Sequence, residues 1–247
     1  MMYGMTRILI AILTAAMCAG AAAGYQANPL RDRLLRNERS QLASSWYQRA
    51  DSGDFFLFDR TNTVALLRER DDPDAEVLVL FANRAPGGGT SFVTDTGREV
   101  VRLTALGGTT YFPLDAPDGV IADYASPAGG LAPQPRSPNE VRDRAEDLAG
   151  TLAELLSTSF DLEYEPAPRA GLGVQYDTFN VIEKAVRQLR SDRRRMPELA
   201  RLRIVIGGEP GARWDDDEFV VSIAPEFGYA GRPSSELIAN ALMDETS

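Results

Sequence analysis

The sequence predicts an α+β protein: a leading helix, an antiparallel β meander forming either an open sheet or a small barrel, then a smaller region of alternating helices and strands. Three observations predict it. The apolar spacing changes from helical to alternating near Gly53. Six short β-branched and aromatic runs then follow with only turn residues between them, so consecutive strands pair antiparallel. After a segment rich in Pro, Gly and Ala, helical stripes return with single strands between them.

The first residues, MMYGMTRILIAILTAAMCAGAAAG, place one positive charge at Arg7 before an apolar run that ends in small residues. The run is shorter than the roughly 20 residues a membrane-spanning helix needs. Ala21-Ala22-Ala23 offers an A-x-A cleavage site, so residues 1–23 are expected to be a secretory signal and the product periplasmic or secreted. Cys18 follows Met17, where lipid attachment needs a small residue, and a lipid anchor is not expected. The cleaved chain is not expected to be an integral membrane protein.

Residues 24–115 are read as the leading helix plus the β region. Leu30, Leu34, Leu35, Leu42 and Trp46 recur near one helical face, with Arg31, Asp32, Arg39 and Arg49 among the polar positions. From Gly53 the runs DFFLFDR, TVALLRER, AEVLVLFANR, TSFVTD, REVVRLTA and TTYFPL read as strands. Thr61-Asn62, Asp71-Asp72-Pro73-Asp74, the glycines after Pro86, Thr96-Gly97 and Gly107-Gly108 separate them. Residues 116–138 read as a linker or long surface loop.

Residues 139–247 form the α+β region. Ser137-Pro138-Asn139-Glu140 supplies an N-cap, a proline for the first turn and the glutamate of a capping box. Val141, Ala145, Leu148, Leu152, Leu155 and Leu156 then build an apolar stripe, read as burial against the protein's own sheet. FDLEY reads as a strand, and Asp177 as the cap of a second helix carrying Phe179, Ile182, Val186 and Leu189. LRIVIGG and EFVVSIAP are two more strands, and SSELIANALM is a closing helix.

The stretch REVVRLTALGGTTYFP, following a hairpin of the FLFDRTNTVALLR kind, resembles an uncharacterised family of proteins exported by Gram-negative bacteria, a domain of unknown function. The resemblance covers about Leu30 to Ala241. It implies export and carries over no functional residue.

Composition narrows the chemistry. There is no histidine, and cleavage of the signal would remove the one cysteine, so Ser-His-Asp triads, cysteine nucleophiles, disulfides and His-ligated zinc are excluded. No cofactor is expected. A net charge of -10 speaks against nucleic acid as a partner. An envelope protein or a glycan is the partner expected.

Asp95-Thr96-Gly97 matches the tripeptide of retroviral-type aspartic proteases, and IVIGG downstream imitates the element supporting that loop. The site departs from the pattern at Thr94 and Arg98. Asp and Gly between alternating strands also make an ordinary hairpin turn, which is the reading preferred. Asp215, Asp216, Asp217 and Glu218, beside Trp214, are candidate metal ligands but lack EF-hand alternation and read better as a solvated loop. Trp214 is a candidate for sugar stacking. Arg190 and Arg194, in an arginine-rich stretch from Arg187 to Arg203, are candidates for anionic headgroups or glycans. The function expected is a non-catalytic envelope binding or structural component. The alternative is a carboxylate-based hydrolase, aspartic-protease-like or glycan-acting.

Overall fold

Eight antiparallel strands close on themselves in simple up-and-down order, and a four-stranded sheet carrying helices follows them. The structure, a computed structural model, describes residues 43–70, 75–189 and 198–244. The expected signal and most of the expected leading helix lie outside these residues.

The barrel strands are β1 (Ser44–Arg49), β2 (Phe55–Asp59), β3 (Ala65–Glu69), β4 (Leu78–Arg84), β5 (Thr90–Val93), β6 (Glu99–Leu103), β7 (Thr109–Tyr111) and β8 (Val120–Pro127). Their inward positions alternate as a strand requires, and Tyr47, Phe56, Phe58, Leu67, Leu80, Phe92, Val101 and Tyr111 fill the lumen. Aromatic contacts tie neighbouring strands together inside it. Phe56 stacks on Tyr111 at 4.3 Å between centroids, and Phe58 meets Phe92 edge-on at 5.0 Å. These side chains form the buried core of the barrel.

Two expectations are corrected here. Trp46 and Arg49, expected at the end of a helix, lie in β1, where Tyr47 points inward between Trp46 and Gln48. β1 owes its conformation to two partners: it pairs with β2 on one side and β8 on the other. The second correction concerns residues 116–138, expected to be a linker or loop. They contain β8, whose pairing with both β7 and β1 closes the barrel. Closure satisfies two sheet edges at once, which outweighs the weak strand propensity of VIADYASP.

The second part starts where expected. Helix α1 (Pro138–Leu156) has the capping box in place, Ser137 accepting from the Glu140 amide and Glu140 accepting from the Ser137 amide at 2.8 Å. Its stripe of Val141, Ala145, Leu148, Leu152 and Leu156 is buried in a core shared with the sheet. Helix α2 (Leu172–Gln188) begins at Leu172, not at Asp177, which is therefore not its cap. Gly173 permits that start, since a Cβ there would stand 2.2 Å from the Gln134 carbonyl oxygen. Helix α3 (Ser235–Met243) is capped by Ser234.

The sheet runs β11 (Gly211–Asp215), β12 (Glu218–Ile223), β10 (Arg201–Ile206), β9 (Asp161–Tyr164), with β12, β10 and β9 parallel and β11 antiparallel at one edge. Asp215 and Glu218, read as part of a solvated loop, lie instead at the facing ends of β11 and β12, whose pairing organises them. Leu202, Ile204, Phe219, Val221 and Ile223 turn toward the helices. The opposite face carries ion pairs such as Arg203 with Glu218 at 2.7 Å. Barrel and layer region belong to one compact unit.

Candidate functional site: a groove between barrel and helices

The two parts are joined by polar contacts at the start of α3. The segment before β4 brings in Glu76, whose side chain is 2 % exposed and accepts from the Ser235 amide at 3.0 Å and its hydroxyl at 2.5 Å. A carboxylate in this position suits the positive end of the helix dipole. Arg232, 1 % exposed, lies beneath. It bonds Asp177 of α2, Glu76 at 3.4 Å and the Val77 carbonyl at 3.0 Å. Burial works against the Arg232 charge, but the charges of Asp177 and Glu76 more than offset it and its pKa stays raised.

Asp95 contributes to the same junction. It sits in the turn of the β5–β6 hairpin, where the Thr94 amide bonds Arg98 and Gly97 adopts a φ of 84°. Both of its oxygens are engaged by Ser234, one by the amide at 2.8 Å and the other by the hydroxyl at 2.6 Å. Its neighbours bind two residues further along: Thr96 donates to Glu236 at 2.8 Å, and Arg98 pairs with Glu236 at 2.9 Å. Among the described residues no second carboxyl hydrogen-bonds Asp95, and both of its oxygens are taken by Ser234. The turn docks the barrel onto a helix.

Above Arg232 opens a groove of about 750 Å³ between the barrel segment around Glu76, the polar face of α2, and Arg144 of α1. Tyr176, Asn180, Glu183, Lys184 and Arg187 recur along α2 at spacings of three and four, and so share a face beside the apolar one of Phe179, Ile182 and Val186. Arg144 crosses from α1 to Asn180 at 2.8 Å and to Glu183 at 2.5 Å, and Arg187 reaches Glu183 at 2.8 Å. Burial pushes the Glu183 carboxyl up, yet the hydrogen bonds from Arg187 and Arg144 outweigh it and hold the group below the ordinary glutamate range. Lys184, the one lysine of the chain, stands 3.7 Å from Glu76. Arg136 stacks 4.1 Å above the Tyr176 ring, and Arg68 reaches in from β3. Burial, then the charge of Asp177, raise the Tyr229 phenol at the groove's edge, keeping it a hydrogen-bond donor.

A second hollow of about 350 Å³ lies at the barrel mouth, beside Arg49, Glu69, Tyr111 and Asp115. Arg49, 8 % exposed, is clamped between Asp51 at 2.8 Å and Asp115 at 2.9 Å, and Tyr111 donates to Glu69 at 2.6 Å. Burial first, and then Glu69, push the Tyr111 hydroxyl well above its usual pKa. Its polar groups largely satisfy one another.

Residues 29–242 match a family model described as a domain of unknown function, DUF4908. The chain belongs to that family. No curated protein and no solved structure matches this DUF4908 chain.

The other sequence-predicted residues are placed as follows. Trp214, in β11, packs its ring against Phe219 at 5.2 Å and has a buried indole N–H without a hydrogen-bond partner, so it serves the core beneath the sheet. Asp215 and Glu218 flank the β11–β12 turn, and Asp216 takes a left-handed φ of 55° within it. The acidic side chains face arginines across the sheet: Asp217 pairs with Arg201, and Asp215 and Glu218 with Arg203. Among the described residues no group of three or more His, Cys, Asp or Glu side chains is arranged to hold a metal ion. Arg190 and Arg194 lie outside the described residues. No described helix is long and apolar enough to cross a membrane. Sequence reasoning did not single out the groove. The signal it left was the polar stripe of α2 with the chain's one lysine in it, which needs the helix start at Leu172 to be read.

Proposed function

We propose that the protein is an exported, non-catalytic binding component of the cell envelope, and that it binds its ligand in the groove between the barrel and helices α1 and α2. One observation carries the non-catalytic part. The three carboxylates that line the groove among the described residues are committed to fixed partners: Glu76 and Asp177 to Arg232, and Glu183 to Arg144 and Arg187. A histidine-free hydrolase needs a carboxyl free to give or take a proton, and a carboxyl whose oxygens are bound by arginines is poorly suited to that. The groove's position at the junction of two layers, and its size, fit the usual setting of a small-ligand site. Export is supported by Arg7, the apolar run after it and Ala21 to Ala23.

The test combines location with binding. Fractionation and N-terminal sequencing should find a mature chain beginning near Gly24 outside the cytoplasm; an intact Met1 on cytoplasmic protein would overturn export. A thermal-shift screen of envelope glycan fragments and small metabolites should find stabilising ligands whose effect disappears in Asn180→Trp. That variant fills the groove from an exposed position. Turnover of a bound compound, lost in Glu183→Gln, would replace the binding reading with the hydrolase.

A further inference from the structure

Taking the groove as the ligand site, we propose that its ligand is an acidic saccharide, a hydroxylated ring compound carrying carboxylate or phosphate groups. The inference rests on which charges in the groove are left over. Among the described residues, five cationic side chains line it against three carboxylates. Two of those carboxylates, Glu76 and Asp177, share the one buried Arg232, which leaves one negative charge between them, and the third, Glu183, meets both Arg144 and Arg187, which leaves one positive charge and cancels it. The surplus falls on Arg68, Lys184 and Arg136. Arg68 has no ion-pair partner among the described residues. Lys184 approaches only Glu76, at 3.7 Å, whose oxygens are held closer by Ser235 and Arg232. Arg136 has the half-exposed Glu140 at 3.1 Å on the rim. A positive recess therefore stands in a protein whose net charge is -10. Low-dielectric walls strengthen attraction to an anion that enters.

The same imbalance selects against extended polyanions. A membrane surface or a nucleic acid would meet the negative charge of the whole molecule before it reached a recess of this size. A compact anion would not. The remaining lining supports the ring: Asn180 and Gln188 offer amides for hydroxyl groups, and the Tyr176 and Tyr229 rings offer flat apolar area, with Arg136 already stacked on Tyr176.

Calorimetric titration of the mature chain with galacturonate, with its methyl ester, with a sugar phosphate and with inorganic phosphate tests this. The acidic saccharides should bind, the ester at least about tenfold more weakly, and affinity should fall with added salt. Lys184→Gln and Arg68→Gln change exposed ends and should each weaken binding severalfold while leaving the unfolding midpoint in place. Equal binding of acid and ester would overturn the charge assignment while leaving the groove a binding site. Inorganic phosphate binding as tightly as the saccharides would overturn the ring. If no saccharide binds while another compound from the ligand screen is still displaced by Asn180→Trp, the acidic-saccharide assignment falls and the binding reading survives; if nothing is displaced, both fall.

Discussion

Replacing Arg232 with methionine tests how the two parts of the molecule are held together. Methionine keeps an unbranched apolar stem in the buried slot and removes the guanidinium. Lost with it are the bonds to Asp177, to Glu76 at 3.4 Å, and to the carbonyls of Val77 at 3.0 Å and Pro233 at 3.3 Å. The four losses are unequal. Asp177 is 23 % exposed and water replaces the guanidinium there, whereas Glu76 is 2 % exposed and is left with Ser235 and the more distant Lys184. A buried carbonyl losing its donor costs about 1–3 kcal/mol, and breaking a buried ion pair about 3–5 kcal/mol. These terms overlap, and Glu76 keeps partners, so the lower end governs: about 3 kcal/mol, a large share of the stability of a domain this size. Urea unfolding of both proteins measures it. A cycle with Glu76→Gln locates the cause, since neutralising Glu76 should recover about 1–3 kcal/mol of the loss. A cost below about 1 kcal/mol, or strict additivity of the two changes, would refute the view of Arg232 as the joint between barrel and helices.

Three further outcomes are expected. Leu152→Ala, at a site with no exposure, should destabilise by about 2–5 kcal/mol in thermal or urea unfolding, and a midpoint near wild type would show that the α1 stripe is not core. Asp95→Ala should cost about 1 kcal/mol, because two charge-assisted bonds are lost but water reaches the exposed turn, and a double-mutant cycle with Ser234→Ala should return a coupling of similar size; zero coupling would detach the hairpin from α3. Glu183, whose folded pKa lies below the ordinary 4.5, should contribute stability fully at neutral pH and lose it as pH falls through 4.5 and then through the folded value. Acid titration should therefore narrow the stability gap between wild type and Glu183→Gln, and a gap that widens would reverse the sign of the argument.

The sequence by itself determined the local elements whose signals are local. The capping box at Ser137 and Glu140, the α1 stripe, six of the eight barrel strands and the turn at Thr96-Gly97 all rest on spacing, φ preference or backbone hydrogen bonding within a few residues. Tertiary structure decided what depends on distant partners. β1 became a strand because β2 and β8 flank it, although its residues also satisfy a helical pattern. β8 formed in a Pro- and Gly-rich segment because a barrel must close. Asp177 became a partner of Arg232 rather than a cap, and Asp95 engaged a helix 139 residues along the chain. The groove gathers Arg68 from a barrel strand, Arg144 from α1 and Lys184 from α2. Its charge is legible only after folding, because each of those side chains, taken in its own stretch of sequence, is one more solvated cation, and only burial of Glu76 and Arg232 beneath them determines which charges are left unbalanced.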